Sequence, residues 1–596
     1  MSVCSGQSFT PSILKKSSTL QDRLKLAAAS ENKVRFVLPH TQNIRNILRD
    51  YLQHRDTRAY ENLIRSIRDS EILDADLISL LQETSECVSL LSKELRLFVE
   101  VLLTVRWVDR DEKLVKEYQS FLVNLLVAQN YHAKAVIDHL VSNFIASPTD
   151  EPWTDGNPSD KDCIKCINIH SVLHSLIKIV PMCTNIILNS LISHYPYFKK
   201  GIHINEFYLH NLLWIFDYET SLRPDILHLI FSKLVIMDVN APREVIQEAY
   251  SKVDDEEIFS MDDTKSIAST TSSNVIVETL DTCMIKMLNY ISQHCYNAKT
   301  QELEWGRTEV LYRDLLQVFD AVILPTYNCH HVQFCWFVLC GFKPILVNSF
   351  LDHLWRKVID PNIPSILRQS SVEYIASLVA RASYVTLKML KSVLQQLATW
   401  IHTYINTQDG LECVNSDLRL HAVFYSTCQA LFYATIFRHK EMIGSSKNIA
   451  FLQSLNFTKI VTCRLNPLRV CQPAVVQKFA AFSRNYQIVY CYSVIEHNSR
   501  KVLPTIYQSE RGSLIQSSAV LEANYPFDPF VLRRAGEKIC PFYREYEETD
   551  ISRNDDINEH HDSGTTERDD FLDQDFHSSK CSNFSYGKSP GFKFNM

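Results

Sequence analysis

The sequence predicts an all-α protein, a HEAT-repeat-like α-solenoid in which antiparallel helix pairs stack into a superhelix. Three observations carry that expectation: helical apolar stripes separated by short breaks, a scarcity of glycine, and interruptions that are acidic or Ser/Thr-rich. The clearest stripes lie between Phe350 and Tyr404. Phe350, Leu351, Leu354, Trp355 and Val358 share one helical face, ended by Asp360-Pro361-Asn362-Ile363-Pro364. Ile366, Tyr374, Ile375, Leu378 and Val379 form the next. Leu387, Leu390, Leu394, Leu397, Ile401 and Tyr404 then recur at 3-4-3-4-3 spacing, which only an α-helix places on one side. Short connections make such neighbours antiparallel. Trp355, Tyr374, Leu378, Leu394 and Ile401 are the predicted core.

Glycine supports the same class. The chain has 12 glycines in 596 residues, against a usual share of about 7%. Nucleotide-binding α/β enzymes need glycine where backbone must approach a phosphate. No Gly-x-Gly-x-x-Gly, P-loop, Gly-x-Ser-x-Gly or His-Glu-x-x-His pattern occurs. The expectation is a non-enzyme with no catalytic residues, no cofactor and no metal.

Taken in order, residues 1–32 are Ser/Thr-rich and read as a flexible tail, and residues 33–543 as the helical stack. Its stripes begin with Ile44, Ile47, Leu48, Tyr51 and Leu52, then Leu63, Ile64 and Ile67. Leu114, Tyr118, Phe121, Leu122 and Leu125 make another face. Residues 147–162 hold prolines, a glycine and acids, and read as a loop. Helices resume at 164–176, 209–216 and 226–237. Residues 252–274 open acidic and end in a Ser/Thr run, with too little to bury against the entropy of ordering, and are predicted to be a disordered insert. Helices return at Val275 and continue to about Ser499. Residues 544–596 form an acidic tail, with thirteen acids against two basic residues between Glu545 and Asp575. Helix pairs at roughly 40-residue spacing favour the HEAT type.

The net charge of −7 is not that of a protein that coats DNA, so any DNA contact is expected to be local and weak. The N-terminus lacks the apolar run of a secretory signal. No stretch approaches the roughly 20 apolar residues that cross a bilayer, so no membrane association is expected. Seventeen cysteines without framework spacing read as reduced, buried hydrophobes of an intracellular protein.

Two clusters invite chemistry. Cys163, Cys166, His170 and His174 have ligand-like spacing, but the apolar pattern around them implies one continuous helix. On it Cys163 and His174 lie about 16 Å apart, too far for one tetrahedral ion. Cys329, His330, His331, Cys335 and Cys340 could supply a Cys-His pair, although buried free cysteine is the ordinary reading. Carboxylates concentrate in solvated loops, away from the apolar surroundings that tune acid–base groups. Candidate phosphorylation sites are Thr10, Ser147 and Ser589, each before proline, and Ser260 in an acidic context. Each modification adds about −1.5 to −2 charge.

An ordered series of motifs goes further. Leu311-Tyr312-Arg313-Asp314-Leu315, Ile323-Leu324-Pro325-Thr326, Phe350-Leu351-Asp352-His353-Leu354-Trp355 and Tyr374 to Ala382 come first. Phe437-Arg438-His439-Lys440, Leu465-Asn466-Pro467-Leu468 and Tyr525-Pro526-Phe527-Asp528-Pro529 follow. Together they closely resemble the RNA polymerase I-specific transcription initiation factor family, over about Val34 to Tyr543. The resemblance implies a non-catalytic HEAT superhelix that binds RNA polymerase I near its stalk and renders it initiation-competent. It implies a bridge to the promoter-bound selectivity (core) factor, control by regulatory kinases, and residence in the nucleus and nucleolus. A homodimer of the free factor is compatible with it. The family's polymerase-facing surface bears serines in its N-terminal half. Ser120, opposite Tyr118 and Phe121, is the candidate here, with Lys113 and Lys116 beside it. The competing reading is an importin-type or assembly scaffold built from the same helical physics.

Overall fold

The computed structural model describes residues 43–69, 72–146, 153, 156–247, 249–250, 272–410, 416–501, 506–508, 514–516, 520–522 and 524–547. The predicted tail 1–32, most of the insert 252–274, part of the loop 147–162 and the tail beyond Glu547 lie outside them. The chain divides into two compact units. One comprises residues up to Pro196 with Trp214–Leu222; the other comprises Tyr197–Leu213 and everything from Arg223.

The first unit contains α1 (Ile44–Leu52), α2 (Arg58–Asp69), α3 (Asp74–Glu86), α4 (Arg96–Leu103), α5 (Glu112–Ala128), α6 (Ala133–Ser142), α7 (Asp160–Ile179) and α8 (Thr184–His194). Side-chain caps start several of them. Asn43, Asp111 and Ser159 accept from the first-turn N–H groups of Arg45, Lys113 and Asp162, satisfying donors that a helix end leaves unpaired. α1 rests on α3, α2 on α4, α3 on α5, α4 on α6, α5 on α7 and α6 on α8. Each helix therefore packs on the second one after it, which is the packing order of stacked helical hairpins. α7 begins at Asp160, inside the stretch read as loop.

Helix α9 (Ile202–Tyr218) contributes to both units. The second unit continues with α10 (Arg223–Val239), α11 (Ser272–Cys295), α12 (Trp305–Val318), α13 (Phe334–Gly341), α14 (Pro344–Ile359), α15 (Ser365–Arg381), α16 (Leu387–Asp409) and α17 (Ala422–Phe437). Shorter helices follow: α18 (His439–Ile443), α19 (Ser446–Ser454), α20 (Phe457–Val461), α21 (Pro467–Val470), α22 (Pro473–Asn485) and α23 (Tyr492–Lys501). A small antiparallel hairpin, β1 (Ile506–Gln508) with β2 (Leu514–Gln516), precedes α24 (Arg533–Ile539). It is the only sheet among the described residues, and the fold is all-α.

The core of this unit is α17, buried continuously from Val423 to Phe437. A helix apolar all round must be covered all round. α15, α16 and α22 surround it. Tyr374, Leu378, Leu394 and Ile401 are buried as predicted. Trp355 is not: it sits at the edge of its stripe and is half-buried. Ile366 is 72% exposed, because it precedes the part of α15 that its neighbours cover. The described cysteines are free; most are buried, but Cys540 is exposed. No helix among the described residues is long and apolar enough to cross a membrane.

Residues 520–522 and 524–547 form a strap over this core. The Leu521 N–H bonds the Val470 carbonyl, and the Phe527 N–H bonds Ser377 Oγ at 2.9 Å. Asp528, at 2% exposure, accepts from the fully buried Arg381 guanidinium and from the Tyr433 hydroxyl at 2.9 Å. Phe437 and Tyr543 cover the guanidinium at 4.6 and 5.2 Å. Phe542 lies so close to Gly341 that a Cβ there would meet its ring at 2.6 Å, so glycine is required at this approach.

Removing one partner of a buried ion pair strands the other charge, which costs about 3–5 kcal/mol. Asp528→Ala should lower the urea midpoint of the full chain accordingly. The double variant Arg381→Met/Asp528→Leu should recover much of that loss, since it leaves no buried charge.

Candidate interaction surface

Helix α5 buries Leu114, Val115, Tyr118, Phe121, Leu122, Leu125 and Leu126. The apolar face fixes the opposite one: Lys113, Lys116, Ser120, Asn124 and Val127 are exposed, a stripe at helical spacing. The support beneath is rigid. Tyr118 stacks on Trp107 with ring centroids 5.0 Å apart, and its hydroxyl donates to the Leu102 carbonyl at 3.0 Å. Trp107 Nε1 donates to His139 Nε2 at 3.1 Å. Burial lowers the His139 pKa to about 4, so the ring is neutral near pH 7 and its Nε2 is a free acceptor for that bond.

On the exposed stripe, Lys116 pairs with Glu112 at 2.6 Å, with both side chains largely solvated. Such a pair adds little stability. Asn124 Nδ2 lies 3.4 Å from Ser120 Oγ, which leaves the Ser120 hydroxyl at the surface. The structure therefore brings Lys113, Lys116 and Ser120 together on one solvent face. Thr10, Ser147, Ser260 and Ser589 lie outside the described residues.

The two Cys/His clusters are built into the packing. α7 runs unbroken through Cys163, Cys166, His170 and His174. His170 lies between Phe144 and Trp214, 5.2 and 5.0 Å away, with Nδ1 at 2.9 Å from the Tyr218 hydroxyl. No group of residues with metal-holding geometry occurs among the described residues.

Cys329, His330 and His331 gather around Asp238. Its carboxylate accepts from the backbone N–H groups of His330, His331 and Val332 at 3.0, 2.8 and 3.0 Å, and from His331 Nδ1 at 2.7 Å. Burial pushes the Asp238 pKa up, but the His331 contact and these N–H groups prevail and hold it at about 2. The Cys329 thiol lies 3.2 Å from the same carboxylate. Burial and that negative charge hold its pKa well above the ordinary thiol value. His331 engages Asp238 rather than Cys329, so no thiolate nucleophile is assembled. Cys335 and Cys340 are buried in α13.

The carboxylates expected in solvated loops are in part buried in the packing. Asp238 and Asp528 are buried, as is Asp281, whose carboxylate accepts from the Arg534 and Ala535 N–H groups at 3.1 and 2.8 Å. Each closes contacts with segments 93 to 254 residues away, a distance at which no local pattern signals the partner. Burial also raises the Glu373 pKa on α15 to about 8, against a lowering by the Asn524 backbone N–H. Since the folded value lies above the unfolded one, the protonated form favours folding. That contribution is full below about pH 4.5 and is lost as pH rises through about 8. Glu373→Gln should therefore raise the melting temperature by several degrees at pH 8.5 and change it little at pH 4.5. Thermal melts at the two pH values check this.

Residues 40–551 match the family model of the RNA polymerase I specific transcription initiation factor RRN3. The Mus musculus RNA polymerase I-specific transcription initiation factor RRN3 is 35% identical over 519 residues, covering 83% of this chain and 79% of that protein. The Schizosaccharomyces pombe factor of the same name is 26% identical, covering 82% and 84%. A crystal structure of RNA polymerase I transcription initiation factor Rrn3 aligns with a TM-score of 0.66 at 20% identity, over 84% of this chain and 97% of that one. At that identity it supports the all-α fold alone.

Proposed function

The chain belongs to the RNA polymerase I specific transcription initiation factor RRN3 family, and from that premise we propose how it works as a bridge. It is an RNA polymerase I initiation factor with a nuclear role, and not an enzyme. In the finer reading it docks on RNA polymerase I near the stalk, makes it initiation-competent, and joins it to the promoter-bound core factor in the nucleolus. Its architecture is HEAT-like. The observation that carries the docking face is the exposed α5 stripe, where two lysines and a serine share one surface.

The stripe works as a charge switch. Lys113 and Lys116 attract an acidic polymerase surface. A phosphate on Ser120, four residues after Lys116, adds about −1.5 to −2 charge and competes with the partner for that ammonium. Regulatory kinases thus weaken docking through complementarity, since no buried contact changes. Ser147 is a second switch on this reading, because its loop interrupts the same N-terminal half.

Co-precipitation of RNA polymerase I tests both. Ser120→Asp and Lys113→Glu/Lys116→Glu should reduce recovery several-fold, Ser120→Ala should not, and melting curves should stay in place. Equal recovery would remove the α5 face while leaving the family role intact. In the same assay Ser147→Asp should lower recovery and Ser147→Ala should preserve it; equal recovery of the two would exclude Ser147.

A further inference from the structure

Charge is unevenly placed in the C-terminal third of the chain. Residues 382–501 contain thirteen Lys and Arg against five Asp and Glu. Several of these cations share one connected surface. Lys391 Nζ bonds Asn448 Oδ1 at 2.7 Å, and Asn448 Nδ2 bonds the Glu441 carbonyl at 2.8 Å. Lys447 and Lys440 stand beside those residues and are exposed, as is Lys388 one turn before Lys391. Glu441, on the same surface, is taken by Arg438 and Arg544. The surface is therefore positive.

The acidic segment starts on this surface. Tyr546 packs on Phe437 at 5.4 Å and beneath Lys478 Nζ at 5.0 Å. Glu547 pairs with Lys440 at 2.5 Å. From there Glu548 to Asp575, outside the described residues, carries eleven acids against Arg553 and Arg568. Fully extended, that segment reaches about 90–100 Å, ample to cross a face that begins at its own anchor. Tethering gives it an effective concentration of about millimolar order, which an acidic partner arriving from solution must exceed.

We propose that Glu548–Asp575 occupies the Lys388/Lys391/Lys440/Lys447/Lys478 face of its own chain as an internal polyanion, masking it from acidic partners. The contact rests on many weak pairs, so it is sensitive to salt and to neutralisation of the segment.

The test uses the full-length protein at about 0.15 M salt, treated with a zero-length carbodiimide and mapped by mass spectrometry in an equal mixture of light and heavy-isotope chains. Crosslinks should run from 548–575 to Lys388, Lys440, Lys447 or Lys478 within one chain and disappear at about 1 M salt. In parallel, Asp555→Asn/Asp556→Asn/Asp569→Asn/Asp570→Asn/Asp573→Asn/Asp575→Asn is compared with wild type by acetylation of surface lysines. Lys388 and Lys447 should acetylate several-fold faster in the neutralised chain, with Lys113 and Lys116 unchanged. Equal acetylation of Lys388 and Lys447 in both proteins overturns the proposal. So do crosslinks spread equally to Lys113 and Lys116, or found only between light and heavy chains.

Discussion

A guanidinium removed from water must be met on every side, and Arg381 imposes that demand on the second unit. Asp528 neutralises it, the rings of Phe437 and Tyr543 cover it, and Tyr433 completes the carboxylate's hydrogen bonds. None of these groups can shift alone. Leaving either charge without the other is far more expensive than the pair's net contribution. The strap is held because its absence would strand a charge, and from that anchor follow the Phe527–Ser377 bond and the approach of Phe542 to Gly341.

The same device recurs with backbone donors. Asp238 gathers the three N–H groups that lead into α13, and Asp281 takes those of Arg534 and Ala535 in the first turn of α24. In both cases a carboxylate from one helix closes the start of another, where unpaired donors and the helix dipole favour negative charge. These aspartates do for packing what a reader of sequence would look for in an active site. Their burial and shifted protonation are consequences of closure, in keeping with a protein whose work is contact.

Local pattern and long-range closure differ in what a sequence discloses. Helix existence was legible wherever one face was apolar: Ile44 to Leu52 is α1, and the 3-4 repeat through Leu390, Leu394, Leu397 and Ile401 is the buried side of α16. The exposed position of Lys113, Lys116 and Ser120 followed from the same period. The sequence pattern of α15 is one-sided, yet Tyr374 to Arg381 is buried all round, because the strap covers the face that α14 and α17 leave open. Trp355 failed because an edge position on a stripe is only half covered. The buried aspartates are not legible in the sequence, because a carboxylate looks alike whether water or a distant amide surrounds it.

The separation of Arg381 from Asp528 has a temporal meaning. The two are 147 residues apart, and a ribosome adds about 5–20 residues per second. Arg381 and the helix that carries it thus wait roughly 7–30 s for the carboxylate of Asp528 that pairs with it. During that interval α15 and α17 can collapse on each other only with a charge inside, or stay open with their apolar faces exposed. A nascent chain in this state keeps apolar surface exposed until its strap is made. The cohesion of the finished unit is set by a segment that arrives late.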